Sequence, residues 1–429
     1  MLIFSHPTGN ANVREAARAL NEAGLLSEFC TTVYWREESL LNSLLPPSLT
    51  RELRRRAFPH IRREQVRSFP WLEAGRLVAR RMGLSQLTRH ETGSLSIDAI
   101  YRSLDRKVAS RLLRASDVFA IYAYEDGALE SFRAAQQQGI RAIYELPIGY
   151  WGAFRKILGE EAALQPEWAM TIPGNSDSQE KLQRKDEELA LADQIVVASR
   201  FVRGTLESAS QVKAPVSVIP YGAPPPRVTS VNRPPAPGAK LRVIFVGSLS
   251  QRKGISYLLR AVELLGAKVE LTLVGRRVGE CRALDRALRV HRWIPSLCHS
   301  DLFEEIRRHD VMVFPSLFEG FGLVLLEAMS CGVPVIATPH GAAPDFLTDG
   351  EDGFIVPIRD AEAIAERLEI LSRDRTRLAA MSEAALLTAA GQAWEHYRKQ
   401  LVVTVLRSIA EEKPAKSETC VSRLQVCNP

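Results

Sequence analysis

The sequence predicts an α/β protein built from two parallel-sheet domains joined by a linker, and three observations carry that reading. Short apolar runs alternate with amphipathic helical stretches almost throughout the chain, and strands that take turns with helices assemble into parallel sheets. A proline-rich segment from Pro220 to Lys240, PYGAPPPRVTSVNRPPAPGAK, separates two such series and has the composition of an interdomain linker. The 429 residues are also too many for one ordinary core. The expected architecture is two Rossmann-like domains whose parallel sheets face each other across a cleft.

In chain order, the first series of apolar runs is LIF, FCTTVYW, DVFAIYAY, IRAIYEL, DQIVVAS and VSVIP, which places the first domain at 1–222. Residues 40–115 interrupt it with helix-forming, Arg-rich sequence and few strand signals, and read as an insertion. The linker takes 223–240. The second series, LRVIFVG, VELTLVG, DVMVFPS, VPVIAT and GFIVP, places the second domain at 241–410. Residues 411–429 are polar and aperiodic and are expected to be a disordered tail.

A composition of 46% hydrophobic and 25% charged residues fits a globular chain. Six cysteines are scattered with no CxxC pair, which points to a reducing compartment. His291, Cys298 and His299 match no zinc spacing and read as structural. No DxD pair of aspartates occurs, so neither a carboxylate-chelated metal nor a cofactor is expected. The start MLIFSHPTGN lacks a positive leader, and no apolar run reaches the roughly 20 residues that span a bilayer. The expected location is therefore cytoplasmic.

The net charge of +6 is uneven. Residues 51–81 hold ten Arg and three Glu, a net of +7, which leaves 6 − 7 = −1 for the rest. Phe58, Phe69 and Trp71 lie among these Arg, and Leu49, Leu53, Ala57 and Ile61 recur every four residues as part of a helical apolar stripe. The segment is expected to meet an anionic membrane leaflet, placing the protein peripherally at the inner face beside a lipid-linked partner. A solvated basic face is the alternative. A nucleic-acid or polyanion binder is the less favoured reading, because it leaves the acids described next without a purpose.

In open parallel sheets, ligands bind beyond the carboxyl ends of the strands. At one such junction, VIFVGSLSQRKGISYLLRAV, a strand ends at Gly247 and a helix begins near Gly254. Arg252 and Lys253 then stand at the helix N-terminus, which already carries partial positive charge. Two cations beside a glycine loop point to a bound anion of the phosphate type, with a solvated basic turn as the alternative. At a second junction, VMVFPSLFEGFGLVLLEAMSCGVPVIAT, Gly320 and Gly322 precede an apolar helix that carries Glu327, while Glu319 stands at its mouth. Burying an unpartnered carboxylate costs several kcal/mol, so Glu327 is expected to hold either a backbone N–H or ligand hydroxyls. A ligand with phosphates and hydroxyls, such as a nucleotide sugar, would use both acids. A third junction, at Gly341, Ala342 and Ala343, reads as an ordinary turn.

These stretches, with VSVIPYGA, VGSLSQRKG and GEDGFIVP, resemble the family 4, or group 1, retaining glycosyltransferases of the GT-B fold over most of residues 193–400. The Glu319-x7-Glu327 element is the most specific part. The resemblance implies a nucleoside-diphosphate sugar as co-substrate and transfer with retention to a hydroxyl acceptor, as in cell-surface polysaccharide or glycolipid assembly. It implies that Glu319 faces the donor sugar, that Glu327 binds ribose hydroxyls and that Lys253 holds the diphosphate. Gly247, Ser248, Arg252 and backbone groups at Gly320, Phe321, Gly322 and Leu323 would complete the donor site. The helix AWEHYRKQLVVTVL would cross back to the first domain. Two departures stand out. Ser248 replaces an Arg frequent in the family, with Arg252 as a substitute charge. AIYELPIGYW lacks the His that many members carry after that strand, leaving His6, Gly9 and Asn10 as the acceptor-side residues. A nucleotide-sugar epimerase on the same scaffold is the alternative enzyme.

Overall fold

A computed structural model describes residues 1–35, 53–54, 56–172, 177–227 and 238–411. The tail beyond Glu411, the middle of the linker, and Leu49, Arg51 and Arg55 of the basic segment lie outside the described residues.

Two sheets form, and every strand pair in them is parallel. The first contains β1 (Leu2–Ser5), β2 (Leu26–Thr31), β3 (Val66–Ser68), β4 (Ala120–Tyr124), β5 (Arg141–Leu146), β6 (Gln194–Val197) and β7 (Val216–Val218), in the order β3-β2-β1-β4-β5-β6-β7. The second contains β8 (Leu241–Val246), β9 (Val269–Val274), β10 (Arg292–Ile294), β11 (Val311–Phe314), β12 (Val335–Ala337) and β13 (Gly353–Ile355), in the order β10-β9-β8-β11-β12-β13. In each sheet the order reverses beside the first strand, between β1 and β4 and between β8 and β11. Crossovers leave such a point toward opposite faces, so the loops part beyond the carboxyl ends and open a crevice.

Eleven of the strands are the eleven apolar runs. The other two, β3 and β10, are three-residue edge strands with the sequences Val-Arg-Ser and Arg-Trp-Ile. An edge strand is paired on one side only and need not be apolar on both faces, so hydrophobic runs give no sign of it. The inner strands are buried on both faces, which is why they read as continuous Val, Ile and Leu.

Two members of the apolar stripe in the basic segment, Ala57 and Ile61, turn inward, together with Phe58 beside them. Ala57, Phe58 and Ile61 are buried, and the Phe58 ring lies 4.4 Å from that of Phe29 in β2. Arg56 is buried too, on the carboxylate of Glu73. These residues lie in turns and an isolated bridge between Trp35 and Ala57 rather than on a helix, so the period-four spacing marked buried positions but not the helical form expected of them.

The two sheets are tied together at several places. The helix Trp151–Leu164 and the turn Pro166–Thr171 supply Leu158 and Trp168 to the core beneath the second sheet. Arg359 reaches back to Glu161 at 2.8 Å. The last described helix, Trp394–Ala410, returns to the first sheet as the sequence resemblance implied. It packs Tyr397, Leu401 and Val405 into the core that holds Val13 and Leu20, and Arg398 pairs with Glu15 at 2.5 Å.

Candidate active site at the second switch point

Beyond β8 the chain passes Gly247 and Ser248, makes a short turn over Gln251–Lys253, and starts the helix Ile255–Leu265. Gly254 between turn and helix has φ +68°, and a Cβ there would collide with the carbonyl of Pro315 just beyond β11. Only glycine can hold this left-handed corner so close to another backbone. It seats Arg252 and Lys253 over the end of β11.

The anion expected opposite these cations is supplied by the chain itself. Glu319 receives the Lys253 ammonium directly and the Arg252 guanidinium at 3.1 Å. Arg252 also donates to the Phe318 carbonyl at 2.8 Å, and Lys253 lies 4.5 Å over the Phe314 ring. Burial alone would raise the Glu319 carboxyl, but Lys253 and Arg252 outweigh it and hold it below the usual carboxylate range. Burial pushes the Lys253 ammonium down, and Glu319 only partly offsets this. Two cations share one carboxylate, 2 − 1 = +1, at a helix N-terminus. The net positive charge suits a further anion.

Glu327 departs from the expectation of a lone buried acid. It sits in the helix Leu323–Met329, is half-buried, and accepts from His299 Nε2 at 3.0 Å. His299 opens the helix His299–Arg307, so a residue read as merely structural supplies the partner that the neighbours in sequence could not. Gly320 precedes Phe321 and Gly322 in the loop, and a Cβ on it would collide with the carbonyl of Pro147 from the first domain. The Gly320 carbonyl accepts from Ser199 Oγ at 2.7 Å. The third junction comes to the same place: Ala342 N–H donates to the Phe321 carbonyl at 3.2 Å. Leu323 is the first residue of the helix.

The first-domain side is organised around the end of β5, where the His of many family members is missing. Glu145 is fully buried and its carboxyl is raised by that burial. Tyr122 and Tyr221 each donate to it at 2.6 Å, and Asn12 Nδ2 donates to the Tyr221 hydroxyl at 3.0 Å. The Tyr221 ring also packs against Phe321, 5.1 Å away. Tyr221 thus touches both walls of the cleft. Nothing in its sequence spacing marks it, because its partners lie 76 and 209 residues away.

His6 follows β1 and is buried against Tyr124, whose ring is 4.6 Å away. The Gly9 carbonyl accepts from Arg14 Nη1 at 3.0 Å, and Asn10 caps the helix Ala11–Glu22 in position only, exposed and without a side-chain capping bond. Burial lowers the His6 imidazole from 6.5 to about 4, so it is neutral at pH 7. Because the unfolded chain takes up its proton first, stability should fall as pH drops from 6.5 toward 4, by roughly 3 kcal/mol at most. Urea unfolding at pH 7 and pH 4.5 should show this loss, and His6→Gln should reduce it.

Among the described residues, one group could bring three metal-ligating atoms together: His90, Glu91 and Asp177, within 4.8 Å of one another. Lys181 already lies 3.3 Å from Asp177 and 2.9 Å from Asp98 beside it, so the cluster is closed by ion pairs of its own.

Residues 229–387 match the family described as glycosyl transferases group 1. The chain is 28% identical over 249 residues to D-inositol 3-phosphate glycosyltransferase of Arthrobacter sp. (strain FB24), covering 52% of this chain and 58% of that protein. It thus spans about three-fifths of the length of the curated relatives it matches. Among solved structures, sucrose-phosphate synthase from Thermosynechococcus elongatus superposes with a TM-score of 0.63 at 17% identity, over 95% of this chain and 99% of that one. Anabaena HepE in complex with UDP superposes with a TM-score of 0.61 at 16% identity, over 95% and 100%. At these identities the likeness is one of fold, two facing parallel-sheet domains of the GT-B kind. The matched stretch, residues 229–387, contains Lys253, Glu319 and Glu327, and over it the chain is similar to the group 1 glycosyl transferases.

Proposed function

We propose that the protein transfers a sugar, with retention, from a nucleoside-diphosphate sugar to a hydroxyl acceptor in cell-surface polysaccharide or glycolipid assembly. The observation that carries the reading is the meeting of Lys253, Arg252 and Glu319 beyond the carboxyl ends of β8 and β11. As the glycosidic bond to the diphosphate breaks, negative charge grows on the leaving group and the sugar becomes cation-like. Fixed cations aimed at the leaving group act where that charge develops. In this reading the donor diphosphate takes Lys253 and Arg252 from Glu319, whose freed carboxylate then faces the sugar. Backbone N–H groups of Gly320, Phe321 and Gly322, with Gly247 and Ser248 across the loop, line the phosphates. Glu327, steadied by His299, takes the ribose hydroxyls. The acceptor enters from the side of His6, Gly9 and Asn10, and contact between the domains at Gly320 keeps water from the donor.

The test is a panel of UDP-, GDP- and ADP-sugars. A true donor should raise the melting temperature in a dose-dependent way, and transfer to an acceptor such as inositol 3-phosphate, suggested by the Arthrobacter relative's name, should follow. Conversion of the donor with no acceptor present would make the protein an epimerase instead. Because the sequence lacks a DxD pair, turnover should persist in EDTA. A strict requirement for a divalent ion would overturn this account of the leaving group.

A further inference from the structure

We propose that the solvent-facing side of the helix Trp71–Arg81 and the turn after it seat the protein on an anionic lipid surface. The inference goes beyond sugar transfer and rests on this surface alone.

The helix is held firmly from beneath. Glu73 and Ala79 are buried, and the Glu73 carboxylate receives Arg76 through two bonds of 2.7 Å as well as buried Arg56. With that side anchored, the opposite side is fixed outward. On it stand Trp71, Val78 and Met82, exposed to 85%, 56% and 67%. Their spacings of seven and four residues place them within about 40° of one another around a 3.6-residue helix. Leu84 and Leu87, also exposed, extend the apolar surface into the turn. Arg80 and Arg81 end the helix, and Arg62, Arg63 and Arg67 are exposed on the strand and turn before it. From 56 to 90 the only exposed acid is Glu64.

This combination selects lipid over other anionic partners. Arg alone would suit any polyanion, but a convex row of Trp, Val and Met has nothing to contact on a phosphate backbone. At a bilayer interface the same row enters the acyl boundary while Arg pairs with anionic headgroups, and Trp favours that depth. The placement also has a use. All seven strands of the first sheet are parallel, so their carboxyl ends share one edge. The helix starts three residues after β3 ends, at the edge where His6 follows β1 and Pro147 follows β5. A surface-bound protein would therefore open its acceptor side near the headgroups.

The experiment uses the full chain with vesicles of phosphatidylcholine, with and without phosphatidylglycerol. The unmodified protein should co-sediment with the anionic vesicles only, and high salt should release it. Two variants separate the contributions, with melting temperature as the control for folding. Trp71→Ala/Val78→Ser/Met82→Ser should lose binding by about tenfold or more and leave the melting temperature unchanged. Arg62→Gln/Arg63→Gln/Arg80→Gln/Arg81→Gln should lose about 100-fold or more. Arg56 is left in place because it is buried on Glu73. Failure of the unmodified protein to bind, or binding that survives the apolar triple variant, would overturn the proposal. So would a drop in solution mass on making that variant, which would identify the face as a contact between copies of the chain.

Discussion

Lys253→Ala is expected to lower turnover by about 10²–10³-fold, the cost of removing one charge-stabilising group from a leaving-group site. The same change at Arg252 should cost less. Among the described residues the Lys253 ammonium meets the Glu319 carboxylate and the Phe314 ring, so its charge is available to a ligand that displaces Glu319. Arg252 is also tied to the Phe318 carbonyl, and part of its role is to hold that loop. Steady-state kinetics with the donor found in the panel checks this ranking. Equal and negligible losses would reduce the pair to a structural turn. Glu319 must be tested as Glu319→Gln rather than Glu319→Ala. Read from sequence, Glu319 stands in a loop at the mouth of the site, where alanine would leave the fold intact. In the structure alanine would leave two largely buried cations with neither a counter-charge nor an accepting oxygen, at a cost of about 3–5 kcal/mol, whereas glutamine loses the charge but keeps an oxygen that can accept from both. The lowered carboxyl of Glu319 gives the sign of the pH effect: the stabilisation is present above the ordinary carboxylate value and is lost as pH falls through the lower folded one.

Gly320→Ala should reduce turnover by about 100-fold or more while leaving each domain folded. A Cβ at this position would collide with the carbonyl of Pro147 and come against Ile148, backbone that belongs to the opposite wall of the cleft. Neither wall can give way cheaply, because Phe318 is clamped between Phe154 and Phe201 at ring distances of 5.2 and 5.3 Å. The domains must instead open by about the size of a methyl group. A displacement of that order between reacting groups costs about 10²-fold in rate. Small-angle scattering should show a larger radius for the variant, and donor binding should weaken less than turnover. An alanine variant with unchanged turnover would show that this contact is not part of the working arrangement.

The parts of the site legible in sequence were those held within one loop or one helix. Gly247, Arg252 and Lys253 were marked by cations standing at the wrong end of a helix, and Glu319 to Gly322 by an acid beside glycines that open another. The pairing of those two elements was not legible, because Lys253 and Glu319 are 66 residues apart and meet only when β8 lies beside β11. Glu327 shows the limit most plainly. Its neighbours in sequence are apolar, which suggested a lone buried acid, yet His299 reaches it from a separate helix 28 residues earlier. Tyr221 and Glu145, which link the two walls, lie in stretches the sequence did mark, VSVIPYGA and AIYELPIGYW, but nothing local to either shows that they pair. The basic segment misled in a different way: Ala57 and Ile61 are buried in the core but not on a helix, and the exposed row is Trp71, Val78 and Met82.

By itself the sequence determined the fold class, eleven of the strands and the two junctions that carry the charge, because periodicity, glycine corners and helix-end electrostatics act over a few residues. Tertiary structure alone decided the edge strands, the direction each amphipathic face turns, the partner of each buried charge and the contact at Gly320. Those depend on which distant segments the parallel sheets bring together, and burial, which sets their energies, is a property of the packed chain rather than of any stretch of it.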